Sequence, residues 1–326
     1  MSGALTLPVW LNYLSDFYLD DYIRAGGSSV KFVVCYPSVA PAEAESELLA
    51  AARSRAYLTA SVSAASTKAH LIEKVFSCIA NQLPWQDLID RILLGFAKDN
   101  RWVIPDKITT AGIIHQLNLV NGISEQQITL IMQRQIADGI LRDRLLAKDF
   151  RVAMMWLANA RLTGGPEQDV VFAKICNWLG GRINAISEMY TFQIFTKVNQ
   201  ANSRHLLGSL LKWISMAGYS GLVVILDANR LLENNKPPDE SLYYPKAALL
   251  EVYEVLRQFV DATDELPCLL LTVLVSPLFL DLDSGGRGLG RYRALMTRVY
   301  DEIRDRHLAN PLTALVRLSN TERVVA

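Results

Sequence analysis

The chain has 326 residues, with 33 Lys and Arg against 33 Asp and Glu and 51% hydrophobic residues. A net charge of zero argues against a dominant basic groove for nucleic acid and against a disordered polyelectrolyte. The length and apolar content suit one large core or two smaller ones.

The first predicted element is an amphipathic helix over Leu7–Ala25, with Val9, Leu11, Leu14, Phe17, Tyr18, Tyr22 and Ile23 at mostly three- and four-residue spacing, closed by Gly26-Gly27. Val30–Cys35 follows as a short apolar run that reads as a buried strand. Pro41–Arg55 is a predicted helix with proline at its start and Glu43, Glu45 and Glu47 in its first turns, and Tyr57–Val62 a second strand. From about Ala69 to Phe195 the strand signal nearly vanishes. Helical patterns there cover Ile72–Gln82, Trp85–Phe96, Ile113–Leu119, Glu125–Asp138, Leu145–Ala160, Asp169–Trp178 and Ser187–Phe195. Alternation then returns: a helix over His205–Ala217, a strand Gly221–Asp227, a helix Pro245–Val260, a strand Cys268–Val275, a helix Tyr292–Arg306 and a last strand Leu312–Leu318. The pattern predicts an α/β class with a parallel sheet and a large all-helical insertion. The core takes residues 1–68 and 203–326 and the insertion 69–202.

A frame that opens strand, loop, helix invites a search for a phosphate cradle, which needs glycines to turn amides inward, a lysine for the β- and γ-phosphates and a hydroxyl for Mg²⁺. The segment there is Cys35-Tyr36-Pro37-Ser38-Val39-Ala40-Pro41-Ala42-Glu43, with no glycine, no lysine and two prolines that lack amide donors. Glu43 and Glu45 bring negative charge where a phosphate would sit. The strand ending in Asp227 suits an acid placed beside a metal, and it equally suits an acid that caps the following turn. The next residue, where a water-polarising glutamate would stand, is Ala228.

The segment Lys212-Trp213, then Gly218-Tyr219-Ser220-Gly221-Leu222-Val223-Val224-Ile225-Leu226-Asp227, resembles the Walker B region of the BREX-type ATP-binding proteins, P-loop, AAA-like ATPases of bacterial phage-defence systems. Tyr18–Gly27 with Val30–Val34 is similar to the lead-in to that family's Walker A. Asn177–Arg182 is similar to its tryptophan-glycine segment, and Gly288–Leu295 with Ala309–Leu318 to its C-terminal end. The resemblance implies a P-loop NTPase-like fold. Where the family carries Gly-x-Gly-Lys-Thr, however, this chain has Ser38-Val39-Ala40-Pro41-Ala42, and where it carries the glutamate, Ala228. Cys35, Ser38, Pro41 and Ala42 mark a degenerate Walker A region, and Asp227 with Ala228 a Walker B remnant. The expectation is a pseudo-ATPase with no catalytic residue, cofactor or metal.

Arg287, Arg291 and Arg293, in the glycine-rich stretch GGRGLGRYR, are the candidates for an interface contact, with a flexible basic loop as the plain alternative. Ser124–Leu145 is a loose match to a helix-turn-helix. Arg134, Arg142, Arg144, Lys148 and Arg151 are interleaved with Asp138, Asp143 and Asp149, the pattern of a solvated mixed-charge face. The four histidines show no metal-binding spacing, and the five tryptophans from Trp85 to Trp213 read as core. The four scattered cysteines read as reduced thiols, and the N-terminal region has no basic stretch ahead of an apolar one. A cytoplasmic protein with no membrane span is expected. The function read from all this is a non-catalytic component of an antiviral defence complex. Its expected partners are the ATPase, nuclease or DNA-modification proteins of that system, and DNA stays open as a further one. The alternatives are an active ATPase with an unorthodox phosphate loop, and a direct DNA-binding module that uses the helical insertion.

Overall fold

The computed structural model describes residues 3–106, 108–109, 112–300 and 310–320. The chain divides into two compact units, Met1–Ile79 with Tyr219–Ala326, and Ala80–Gly218. The division falls later than the 69 and 203 boundaries read from sequence. Most of the helix Ile72–Ala80 groups with the first unit, and the helix Ser203–Met216 with the second.

In the first unit five parallel strands, β1 (Ser28–Cys35), β2 (Tyr57–Ser63), β3 (Gly221–Asp227), β4 (Leu269–Val275) and β5 (Leu315–Leu318), form one sheet in the order β2-β3-β4-β1-β5. β3 and β4 are apolar almost throughout because both faces of the sheet are covered, so no position alternates to solvent. On one face Val33, Val223, Ile225, Leu270 and Leu274 pack with Trp10, Leu14, Leu48 and Ala52 from α1 (Leu7–Leu14) and α2 (Pro41–Arg53). Toward the other, the Phe32 ring stacks on Phe279 at 5.5 Å, and Tyr253 meets Phe279 edge-on. Together these elements are a P-loop-like α/β core.

The first helix differs from a regular one. After α1 the chain continues with π-helical turns over Ser15–Tyr22, and the next buried apolar residue after Leu14 is Leu19, five positions on. The helix ends at Tyr22, and the turn that follows it closes at Gly26, whose φ of +104° suits glycine.

The wide turns set Tyr18 over Lys31, the one charged residue of β1. Lys31 is 1% exposed, and its ammonium donates to the Tyr18 hydroxyl (2.7 Å) and the carbonyls of Leu312 (2.7 Å) and Thr313 (3.0 Å). Burial pulls its pKa down to about 7. In the unfolded chain the amine keeps its ordinary value near 10.5, so between these values the unfolded state binds more protons. Stability therefore rises with pH across that window. In Lys31→Met, urea denaturation from pH 7 to 10 is expected to lose this rise; an unchanged slope would refute the assignment.

The second unit is built from α4 (Trp85–Asp99), α5 (Ile113–Asn121), α6 (Glu125–Ile136), α7 (Lys148–Thr163), α8 (Pro166–Leu179) and α9 (Ser203–Met216). The predicted helix Ser187–Phe195 is instead a 3₁₀ segment, Ile186–Phe192, ended by Gln193 at φ +59°. α6 does not turn into a second helix inside Ser124–Leu145. It widens into a π-helical stretch over Ala137–Leu141, and the turn lies before it, at 122–124. Among the described residues the unit's one buried ion pair joins α4 to α7: the Arg161 guanidinium grips the Asp90 carboxylate with two bonds of 2.7 and 2.8 Å. In the first unit, α10 (Lys246–Asp261) and α11 (Arg293–Val299) complete the described helices with α3 (Ile72–Ala80). The predicted helix Tyr292–Arg306 runs partly into residues outside the described ones. No described helix is long and apolar enough to cross a membrane.

Candidate functional site: the carboxyl edge of the sheet

In open parallel sheets ligands sit beyond the carboxyl ends of the strands. Here that edge carries the loop after β1, the end of β3 and the end of β5. The register sets Val34 beside Val275 and Asp227 beside Leu274, so the β1 and β3 ends lie at nearly the same level with β4 between them. The loop after β1 and the end of β3, the two segments that the resemblance compares with Walker A and Walker B, are therefore on one edge.

The loop itself is occupied by its own hydrogen bonds. The Tyr36 amide donates to the Leu318 carbonyl and the Val39 amide to the Tyr36 carbonyl, at 3.0 and 2.8 Å. Pro37 and Pro41 have no amide hydrogen. Ser38 is tied to the end of β5: its hydroxyl lies 3.1 Å from that of Ser319 and accepts from the Asn320 amide, and its carbonyl accepts from the Asn320 side chain. Val39 is buried, and no residue from Tyr36 to Ala40 has positive φ. A phosphate-binding nest needs successive inward amides, commonly through a left-handed residue. Pro41 starts α2, Ala42 is exposed, and Glu43 stands exposed in the first turn. As a set these groups do not fit a triphosphate.

Cys35 closes β1 as a buried thiol. Burial, helped by the nearby Asp227 carboxylate, pushes its pKa up to about 11, which makes it inert. Asp227 Oδ1 accepts from the Asn229 amide (3.1 Å) and side chain (2.8 Å), the turn-capping role left open by the sequence. Ala228 is buried and lines a small apolar space with Leu231, Leu232, Tyr253, Val273 and Phe279. A side chain at 228 thus starts into the core.

The three arginines are not alike. Arg287 is buried: its guanidinium donates to the carbonyls of Leu231 (2.7 Å) and Tyr244 (2.8 Å), and the Arg287 carbonyl accepts from the Tyr253 hydroxyl. This corrects the expectation of an exposed contact residue, because the glycines around it bring backbones together. A Cβ at Gly288 would lie 2.6 Å from the Asp281 carbonyl, and one at Gly290 2.1 Å from Leu282. Arg291 is half-buried and donates to the Ser284 carbonyl, while Arg293 is exposed at the start of α11. The Ser38–Ser319–Asn320 link and the Arg287 clamp had no sequence signal. Lys31 did, as a lone charge within an apolar strand. Among the described residues no group of three or more His, Cys, Asp or Glu could hold a metal ion.

The model of the family described as BREX system ATP-binding protein BrxC/D matches residues 125–324. The match takes in β3, β4 and β5 but not β1 or its loop. No curated protein and no solved structure matches the chain. Spanning well over half of the sequence, and agreeing with the parallel sheet and the Asp227 strand, the match establishes that this chain belongs to the BREX system ATP-binding protein family BrxC/D.

Proposed function

We propose that this chain is a non-catalytic member of its family, a pseudo-ATPase that serves as a protein-binding scaffold in a bacterial phage-defence complex. The observation that carries the reading is the Tyr36–Ala40 loop, whose Tyr36 amide and Ser38 hydroxyl bond the end of β5, whose Val39 amide bonds the Tyr36 carbonyl, and which lacks a lysine. Family membership supports a place in a multi-component defence system, with ATPase, nuclease or DNA-modification proteins as partners in the cytoplasm. The intact sheet supports retention of the scaffold. Arg291 and Arg293 are the side chains of the glycine-rich stretch left to reach such a partner, since guanidinium groups pair well with carboxylates.

Restoring the missing glutamate separates this reading from an unorthodox active ATPase. Ala228→Glu supplies a water-polarising group with no phosphate held for it to act on. It also starts a carboxylate into an apolar space, at a cost of several kcal/mol, about 2–4. Phosphate release from ATP–Mg²⁺ is expected to stay at the blank level for both the native chain and the variant, and the variant melts earlier. Turnover by either protein, in preparations free of other ATPases, would overturn the assignment.

A further inference from the structure

The zero net charge of the chain hides an uneven distribution. Residues 80–218 carry fifteen Lys and Arg against eleven Asp and Glu, whereas the rest carries eighteen against twenty-two. The helical unit is therefore the basic one. Within it, α5 and α6 are joined by three residues, Gly122-Ile123-Ser124. Gly122 is left-handed at φ +64° and its amide closes α5 on the Asn118 carbonyl. The Asn118 side chain donates to the Ile123 carbonyl at 2.8 Å, and the Ser124 hydroxyl caps α6 by accepting from the Gln127 amide. α5 packs on α6, and α6 packs on α4 and α7. Ile128, Met132 and Ile136 bury one side of α6, and Ile113 and Leu117 one side of α5.

The opposite side of α6 has a stripe at helical spacing: Gln126, Gln127, Leu130, Gln133 and Arg134, all exposed. Leu130 is 72% exposed at its centre and the Arg134 side chain 85% exposed. These are groups that read base edges: an amide matches adenine, a guanidinium matches guanine, and an aliphatic group meets the thymine methyl. We propose that α5, the Gly122–Ser124 turn and α6 are a helix-turn-helix that seats α6 in the major groove of duplex DNA.

The surrounding charge suits a phosphate backbone. Arg144 and Lys148 follow α6 and are exposed. The acids nearby are engaged: Glu125 with His115 at 2.9 Å, Asp138 with Arg142 at 2.5 Å, Asp143 with Lys212 at 2.5 Å. Arg134 is only 3.8 Å from Asp138, a surface pair of little strength that a base contact replaces. The inference is independent of the nucleotide loop, since it uses only the helical unit. It goes beyond the scaffold reading by giving this chain its own DNA contact.

The test is selection of the full chain against a random pool of duplexes of about three turns, roughly 30 base pairs, followed by anisotropy with the selected duplex. The native chain enriches a short motif and its affinity falls steeply with salt. Gln126→Ala/Gln127→Ala loses or changes the motif, and Arg134→Ala weakens binding about tenfold. Arg182→Ala, an exposed arginine outside the motif, changes affinity less than about twofold. Because all these side chains are exposed, unchanged circular dichroism melts confirm that the variants fold. Binding of single strands in preference to duplex, affinity untouched by the α6 variants, or no duplex binding with a dimer that Leu130→Gln dissolves would each overturn the proposal. The last outcome would make the stripe a self-association surface.

Discussion

Arg161→Ala is expected to lower the stability of the helical unit by about 3–5 kcal/mol. Arg161 and Asp90 have side chains 7% and 12% exposed and are joined by two near-parallel bonds, so removing the guanidinium leaves a carboxylate with little water to solvate it. The two residues lie 71 positions apart and fasten α4 to α7. The cost belongs to the orphaned charge more than to the pair itself. Asp90→Leu/Arg161→Met, which removes both charges and keeps much of the volume, is therefore expected to recover most of the loss. Urea denaturation followed by circular dichroism measures both variants. A loss below about 1 kcal/mol for Arg161→Ala, the range of an exposed pair, would show that the pair is solvated and structurally idle.

Arg287→Ala carries the second large effect, about 3 kcal/mol, because hydrogen bonds from a charged donor are among the strong ones and two carbonyls lose their partner. The neighbours in the same stretch make an internal control. Arg293→Ala should stay within about 0.5 kcal/mol of the native chain, since the residue is exposed. Arg291→Ala/Arg293→Ala should weaken capture of the defence-system partners while leaving the melt nearly unchanged. Capture undiminished in that double variant would remove both arginines from the interface. A melt unchanged in Arg287→Ala would contradict its place as an internal clamp.

The sheet was legible because its strands are chemically extreme. Gly221–Asp227 and Cys268–Val275 are apolar without alternation, which fits only strands covered on both faces. The helical pair α5–α6 was harder to read. Its turn, Gly122-Ile123-Ser124, precedes the window Ser124–Leu145, and the 3.6-residue pattern runs on through the π-helical stretch after Ile136 with no visible stop. The glycine-rich stretch misled in the other direction. Glycines that serve flexibility and glycines that serve close backbone approach look alike in sequence, and Gly288 and Gly290 are of the second kind. Nor could composition reveal the basic helical unit, since its surplus and the deficit of the rest cancel in the total. Asp90 and Arg161 have no local pattern at all, because their pairing exists only once α4 and α7 have met.

The most direct test of the proposed pseudo-ATPase role is calorimetric titration of the purified chain with ATP–Mg²⁺ into the millimolar range, where a dissociation constant of about 1 mM corresponds to roughly 4 kcal/mol of binding. The Tyr36–Ala40 loop, with its Tyr36 and Val39 amides spent on carbonyls, its hydroxyl on the end of β5 and Glu43 at the head of α2, predicts no saturable heat. Saturable binding with a micromolar constant would contradict the account, and loss of that binding in Asp227→Ala would locate the nucleotide at the edge argued to have lost it.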